Sequence, residues 1–145
     1  MPGTPSKTYR TNEIAVTFEP RLCIHSAVCL RALPAVFDVH ARPWVAPDQA
    51  SADEIAEAVR LCPSGALTYV RTEGPGETAE EPDPEPVIVA LENGPFLLHG
   101  DFTIEAADGT PIRRVARATL CRCGASKNKP FCDNSHRTVG FRSAS

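Results

Sequence analysis

Cys121, Cys123, Cys132 and His136 stand in the order Cys-x-Cys-x8-Cys-x3-His near the end of the chain. Three thiols and an imidazole within sixteen residues make a four-ligand metal set. Anionic sulfur holds ferric iron bridged by sulfide, and an imidazole can replace one thiolate. Two cysteines one residue apart can grip one iron. Cys132 and His136, four apart, can meet on one side of a helical turn to hold a second. Cys23, Cys29 and Cys62 complete the six cysteines and form a second group far away in the sequence. Zinc is the competing occupant of a Cys3His set, but zinc motifs usually begin Cys-x2-Cys, so the Cys-x-Cys spacing favours a small iron–sulfur cluster.

The residues between these ligands suit that purpose. Pro130 stiffens the approach to Cys132, and Asp133 is expected as the N-cap of the turn carrying His136. Ser126, between the ligand pairs, is more than a solvated loop residue, whereas Lys127 and Lys129 read as solvated. The run Cys121-x-Cys123-x2-Ser126-x3-Pro130-x-Cys132-Asp133-Asn134-Ser135-His136 resembles the signature of the CDGSH iron–sulfur family. The resemblance implies a 2Fe-2S cluster on Cys121, Cys123, Cys132 and His136, in a β-rich domain that can dimerise. This chain departs from the pattern at Asn134, where the family usually has glycine; if that position needs positive φ, Asn is the next most tolerant residue. A neutral imidazole in place of a thiolate removes a negative charge, so reduction becomes easier than in an all-cysteine centre. It also makes cluster retention sensitive to acid.

The first group reads differently. Cys23 and Cys29 match the outer positions of a ferredoxin Cys-x2-Cys-x2-Cys run, and Cys62-Pro63 matches its distant Cys-Pro; the middle position is Ser26. With Pro43-Trp44-Val45 and Ser64-Gly65-Ala66-Leu67, this segment resembles the divergent single-cluster ferredoxin family. Lacking the middle thiolate, a cubane either loses one iron, leaving 3Fe-4S on three cysteines, or stays 4Fe-4S with His25, Ser26 or solvent as the last ligand. Imidazole matches sulfide-bound iron better than a serine oxygen. The three-iron form is placed ahead, and His25 is weighed equally as a ligand and as a hydrogen-bonding surface residue.

The elements that must present these ligands fall into two α+β units. Ile14, Val16 and Phe18 alternate as a strand; Cys23–Ala32 is a loop entering a short helix; Val36–Val39 and Pro43–Ala46 form a strand pair. Ser51 to Glu54 is a capping box, behind which Ile55, Ala58, Val59 and Cys62 share a helical face. Ala66–Val70 returns as a strand, giving a ferredoxin-like split βαβ order. Residues 11–72 are expected as this domain. Residues 73–86, rich in Pro, Gly and acid, are an extended linker. Residues 87–145 are a small β-rich domain whose strands 87–91, 96–99, 102–105 and 112–120 are joined by Asn93-Gly94 and Asp108-Gly109 turns, with the last strand leading into Cys121. Trp44 and Tyr69 read as core, and His40 and His99 as ordinary surface or strand residues.

The whole chain has 145 residues and a slightly negative net charge of −3, which argues against a general nucleic-acid binder. No apolar run reaches membrane-spanning length, and the first ten residues show no leader pattern, so the expectation is a reducing cytoplasm with free thiols rather than disulfides. Nothing resembles a nucleotide-binding glycine loop or a Ser/His/Asp set. The expected function is one-electron transfer between a reductase and an acceptor, without bond-making chemistry. The alternatives are an iron–sulfur cluster carrier or redox sensor, and a structural zinc protein.

Overall fold

A computed structural model describes residues 5–74 and 76–143. The chain divides into two compact units. One runs through Cys62 and resumes from Ala66 to Glu80; the other takes Pro63–Gly65 and continues from Glu81.

The first unit is built on an antiparallel sheet of order β1-β2-β3-β4, with β1 at Lys7–Arg10, β2 at Ile14–Phe18, β3 at Leu67–Arg71 and β4 at Thr78–Ala79. Its centre is the β2–β3 pair, in which Val16 stands opposite Tyr69 and Phe18 opposite Leu67. Two helices lie between those strands in sequence: α1 (Val28–Ala32) and α2 (Ala52–Arg60). Ile55 and Val59, one turn apart on α2, are fully buried and join Ile14, Val16, Phe37 and Leu67 in one core. Trp44 covers the edge of that core, its ring 4.8 Å from Phe18 and 5.9 Å from Phe37.

Helix α2 starts where its sequence says it should. Ser51 Oγ accepts the N–H of Glu54 at 3.1 Å, and Glu54 Oε1 accepts the N–H of Ser51 at 3.2 Å. Ser51→Ala removes one half of this box and should cost about 1 kcal/mol, readable by urea denaturation. The strand pair expected at 36–46 is a single bridge, Phe37 to Val45, flanked by Asp38 N–H to Trp44 O at 2.9 Å and Ala46 N–H to Val36 O at 2.8 Å. Within the stretch expected as linker, β4 pairs with β3 through Val70–Ala79 and Arg71–Thr78.

The second unit is a three-stranded antiparallel sheet of order β5-β6-β7, with β5 at Val87–Ala90, β6 at Phe96–Glu105 and β7 at Pro111–Leu120. The two strands expected at 96–99 and 102–105 are one strand with a register shift between His99 and Phe102. Gly100 makes that bulge: its φ is +128°, and a Cβ there would come within 2.7 Å of Pro86 Cα. Among the described residues, the buried apolar cluster of this sheet is small: Leu98, Val115 and Ala118. So small a core gains little from burial alone, and units of this kind usually need a metal, disulfide or partner. Beyond β7, the loop folds back: Cys121 N–H bonds Pro130 O and Cys132 N–H bonds Thr119 O, both at 2.8 Å. The helix α3 (Ser135–Thr138) then carries His136.

Candidate metal centres

The backbone bonds that return residues 130–132 to the end of β7 set Cys132 beside the Cys121–Cys123 turn. Cys121 Sγ and Cys123 Sγ stand 3.9 Å apart, and Cys132 Sγ and His136 Nδ1 3.8 Å apart. Two thiolates on one tetrahedral metal lie about 3.8 Å apart, and a thiolate with an imidazole about 3.6 Å, for bonds near 2.3 and 2.1 Å. Each pair is therefore spaced to share one metal. All four side chains line one tight cleft together with Ser126 and Asp133. Among the described residues no three His, Cys, Asp or Glu side chains gather closely enough to hold a lone ion. The arrangement is two pairs.

Electrostatics prepare the two sides unequally. Burial would raise the Cys121 thiol, but amides of Ser126 and Gly124 and the charge of Lys129 outweigh it and bring the pKa below its ordinary value. Burial pushes Cys132 up, aided by the charges of Asp133, Cys121 and Cys123, against the N–H of Asn134. His136 is lowered, first by burial and then by Arg137. A neutral imidazole and a ready thiolate are the forms that bind iron. The repulsion that raises Cys132 is relieved when a cation lies among the three sulfurs.

Several side chains brace this cradle. Ser126 is buried; its Oγ donates to Phe131 O at 2.6 Å and accepts Asn128 N–H at 3.0 Å, closing the loop between the ligand pairs. Ser126→Ala leaves both groups without that partner and should destabilise the second unit by about 1–3 kcal/mol, while a Thr variant retains the hydroxyl. Differential scanning calorimetry of the metal-free chain would read this. Asn134 has φ +71°, so the family's glycine position is left-handed here and Asn fills it. The expected N-cap shifts by one residue: Asn134 occupies it without a side-chain bond, while Asp133 accepts Ser135 N–H at 3.0 Å and Lys127 N–H at 2.9 Å. Asp133 thus ties the two ligand loops together.

Two braces were not legible from the motif. Arg122, between the paired cysteines, has its guanidinium 5.3 Å from the Phe96 ring and 5.7 Å from that of Phe141, and donates to Leu91 O at 3.1 Å. Asn93 Oδ1 accepts Ser143 N–H at 2.9 Å and the backbone N–H of Asn93 donates to Ser143 Oγ at 3.0 Å, pinning the tail that follows α3. Both rest on contacts far apart in sequence, which no local spacing announces.

In the first unit, burial raises the thiols of Cys23 and Cys29, and the charge of Cys62 raises both further. The three thiols therefore lie within electrostatic reach of one another. Cys23, His25 and Cys29 face a cavity of about 520 Å³ walled by Phe18, Leu30, Pro43 and Trp44. Ser26 Oγ lies 3.5 Å from Val28 N–H, turned toward the start of α1. His25 has φ +57° and sets its Nδ1 3.9 Å from Cys23 Sγ. A cubane gives each iron one protein ligand, so its ligand atoms stand farther apart than two ligands of one metal. His25 is placed as a neighbour of Cys23, not at a separate corner. Trp44 and Tyr69 both pack in the core of this unit, and His99 lies 4.0 Å from Asp83. All six cysteines are free thiols. Among the described residues no helix is long and apolar enough to cross a membrane.

Comparison with known proteins separates the chain into the same two parts. Residues 9–72 match the divergent 4Fe-4S mono-cluster family, and residues 93–137 match the iron-binding zinc finger of CDGSH type. The protein YjdI of Escherichia coli strain K12 is 33% identical over 63 residues, covering 43% of this chain and 83% of the relative. The protein of the same name in E. coli O157:H7 gives the same values. The chain therefore belongs to the divergent 4Fe-4S mono-cluster family and carries, after that domain, an iron-binding finger of CDGSH type, which makes it an iron–sulfur protein.

Proposed function

We propose that the chain carries two clusters and passes single electrons between redox proteins, a reductase on one side and an acceptor on the other, without making or breaking bonds in a substrate. Cys121, Cys123, Cys132 and His136 would hold a 2Fe-2S cluster. Cys23, Cys29 and Cys62 would hold a second cluster, 3Fe-4S in the reading favoured by Ser26 and His25, with 4Fe-4S the alternative. The observation that carries this is the pair of near-equal spacings in the C-terminal cradle, 3.9 and 3.8 Å, each suited to one iron. When bound, such clusters take up and release one electron. The residues would hold them in place, with N–H donors already aimed at sulfur (Ala125 to Cys123 and Asn134 to Cys132, both 3.4 Å).

Anaerobic purification followed by iron, sulfide and zinc analysis tests the reading. About five irons and six sulfides per chain, or about six of each if the N-terminal centre is 4Fe-4S, without zinc, is expected. Stoichiometric zinc with no sulfide would sink it. Free thiols in this number fit a reducing compartment, and the cytoplasm is the proposed location.

Delivery of a cluster to another protein is a second reading, favoured by the partial exposure of Cys123 and His136. Transfer to an apo-acceptor, faster as pH falls, would support it over electron transfer. Dimerisation is proposed as well. β5 is an edge strand whose Val87 and Ile88 are 45% and 60% exposed, an apolar border that a second copy would cover. Sedimentation at rising concentration should show a dimer.

A further inference from the structure

The segment that forms the C-terminal cradle is predominantly cationic. From Cys121 to Ser143 there are five cations, Arg122, Lys127, Lys129, Arg137 and Arg142, and a single acid, Asp133, while the whole chain is net −3. Asp133 is already engaged by the N–H groups of Lys127 and Ser135. Lys127, Lys129, Arg137 and Arg142 are exposed. They flank both ligand pairs: Lys127 and Lys129 lie on the loop between Cys123 and Cys132, and Arg137 follows His136. Lys129 is near enough to act on Cys121, and Arg137 on His136. Beside them Val139, three residues past His136, is 57% exposed.

A small apolar spot ringed by like charges, next to a redox centre, suits brief docking. Electron-transfer interfaces are small, and complementary charge sets their association rate. We propose that this cationic rim is the docking surface of an acidic redox protein that delivers one electron at the His136 side of the cradle. The inference rests on the electron-transfer reading above and adds the partner's chemistry. In the step, a reduced flavin in the partner loses one electron and the C-terminal centre gains it; no bond forms and no proton need move. A nucleic acid is a poorer occupant. Binding to a polyanion needs a long run of phosphate contacts, and five cations around one cradle supply few.

The experiment uses the full cluster-loaded chain and a reduced acidic flavodoxin as the probe, mixed by stopped flow without oxygen. The second-order rate should fall steeply as potassium chloride is raised. At low salt it should fall about tenfold or more in Lys127→Glu/Lys129→Glu/Arg137→Glu/Arg142→Glu, and by a smaller factor in Lys127→Glu/Arg142→Glu. The double variant leaves Lys129 and Arg137 untouched and carries the test if the fourfold variant loses its cluster. Reduction by excess dithionite, which needs no docking, should go to the same final extent in the native protein and the double variant. A flavodoxin rate unmoved by charge reversal, with dithionite reduction intact, overturns the surface and leaves the electron-transfer reading standing. Tighter binding of heparin or of phosphatidylglycerol vesicles than of flavodoxin also overturns it. Failure of dithionite and of an electrode to reduce the C-terminal centre reversibly defeats the reading itself, and the docking surface with it.

Discussion

Replacing His136 by cysteine should lower the reduction potential of the C-terminal centre by on the order of 100 mV or more. The reason is charge. An imidazole binds iron as a neutral ligand and a cysteine as an anion, so the variant must accept an electron onto a more negative centre. All-cysteine plant-type centres sit near −400 mV and two-histidine centres between about −150 and +300 mV, so one histidine belongs between them. Cysteine at position 136 starts from the same helix α3, four residues from Cys132, and can place its sulfur on the same side. A redox titration followed by absorbance measures the shift, and an unchanged potential would remove His136 from the ligand set.

The same variant should hold its cluster longer in acid. Burial and Arg137 depress the His136 pKa, so in the metal-free fold this group contributes stability above its unfolded value of about 6.5. That contribution is lost as pH falls through the lower folded value. With iron bound, a proton competes with the metal for the same nitrogen, and loss should accelerate on the acid side of that window. Decay of visible absorbance at pH 5 to 6 compares the two proteins; equal rates would place the acid-labile bond elsewhere.

How far the sequence foretold this arrangement depends on how local each signal is. The capping box of α2 and the Cys121–Cys123 and Cys132–His136 pairs are local, and the structure places the side chains as their spacing predicts. The left-handed backbone at Asn134 is likewise readable, because few residues other than Gly and Asn tolerate it. The strands β1 and β4 left no such mark. β1 is almost wholly exposed and β4 has two exposed residues, so neither shows apolar alternation. The 36–46 strand pair looked stronger than it is because its apolar residues, Val36, Phe37 and Val45, are buried as core and not by a ladder. Arg122 was illegible for a different reason: its role comes from Phe96 and Phe141, and only the folded chain brings them together.

The first unit's unfilled ligand position leads to the other large effect. Ser26→Cys should convert the N-terminal cluster from three irons to four. Ser26 holds the middle position of the run from Cys23 to Cys29, where a ferredoxin motif would carry its remaining thiolate. Its oxygen is a hard, weak partner for sulfide-bound iron and is turned toward Val28 N–H at 3.5 Å. A cysteine presents a soft anion from the same Cβ, matched to the corner iron that the native chain leaves without sulfur. The electron paramagnetic resonance signal of an oxidised 3Fe-4S centre, expected of the native protein, should vanish in the variant, and its iron content should rise by about one per chain. His25→Ala should leave the native signal in place, since His25 stands 3.9 Å from Cys23 as its neighbour. A native protein silent when oxidised, whose N-terminal centre loses iron in His25→Ala, would reverse the assignment: four irons would then be native and the imidazole their fourth ligand.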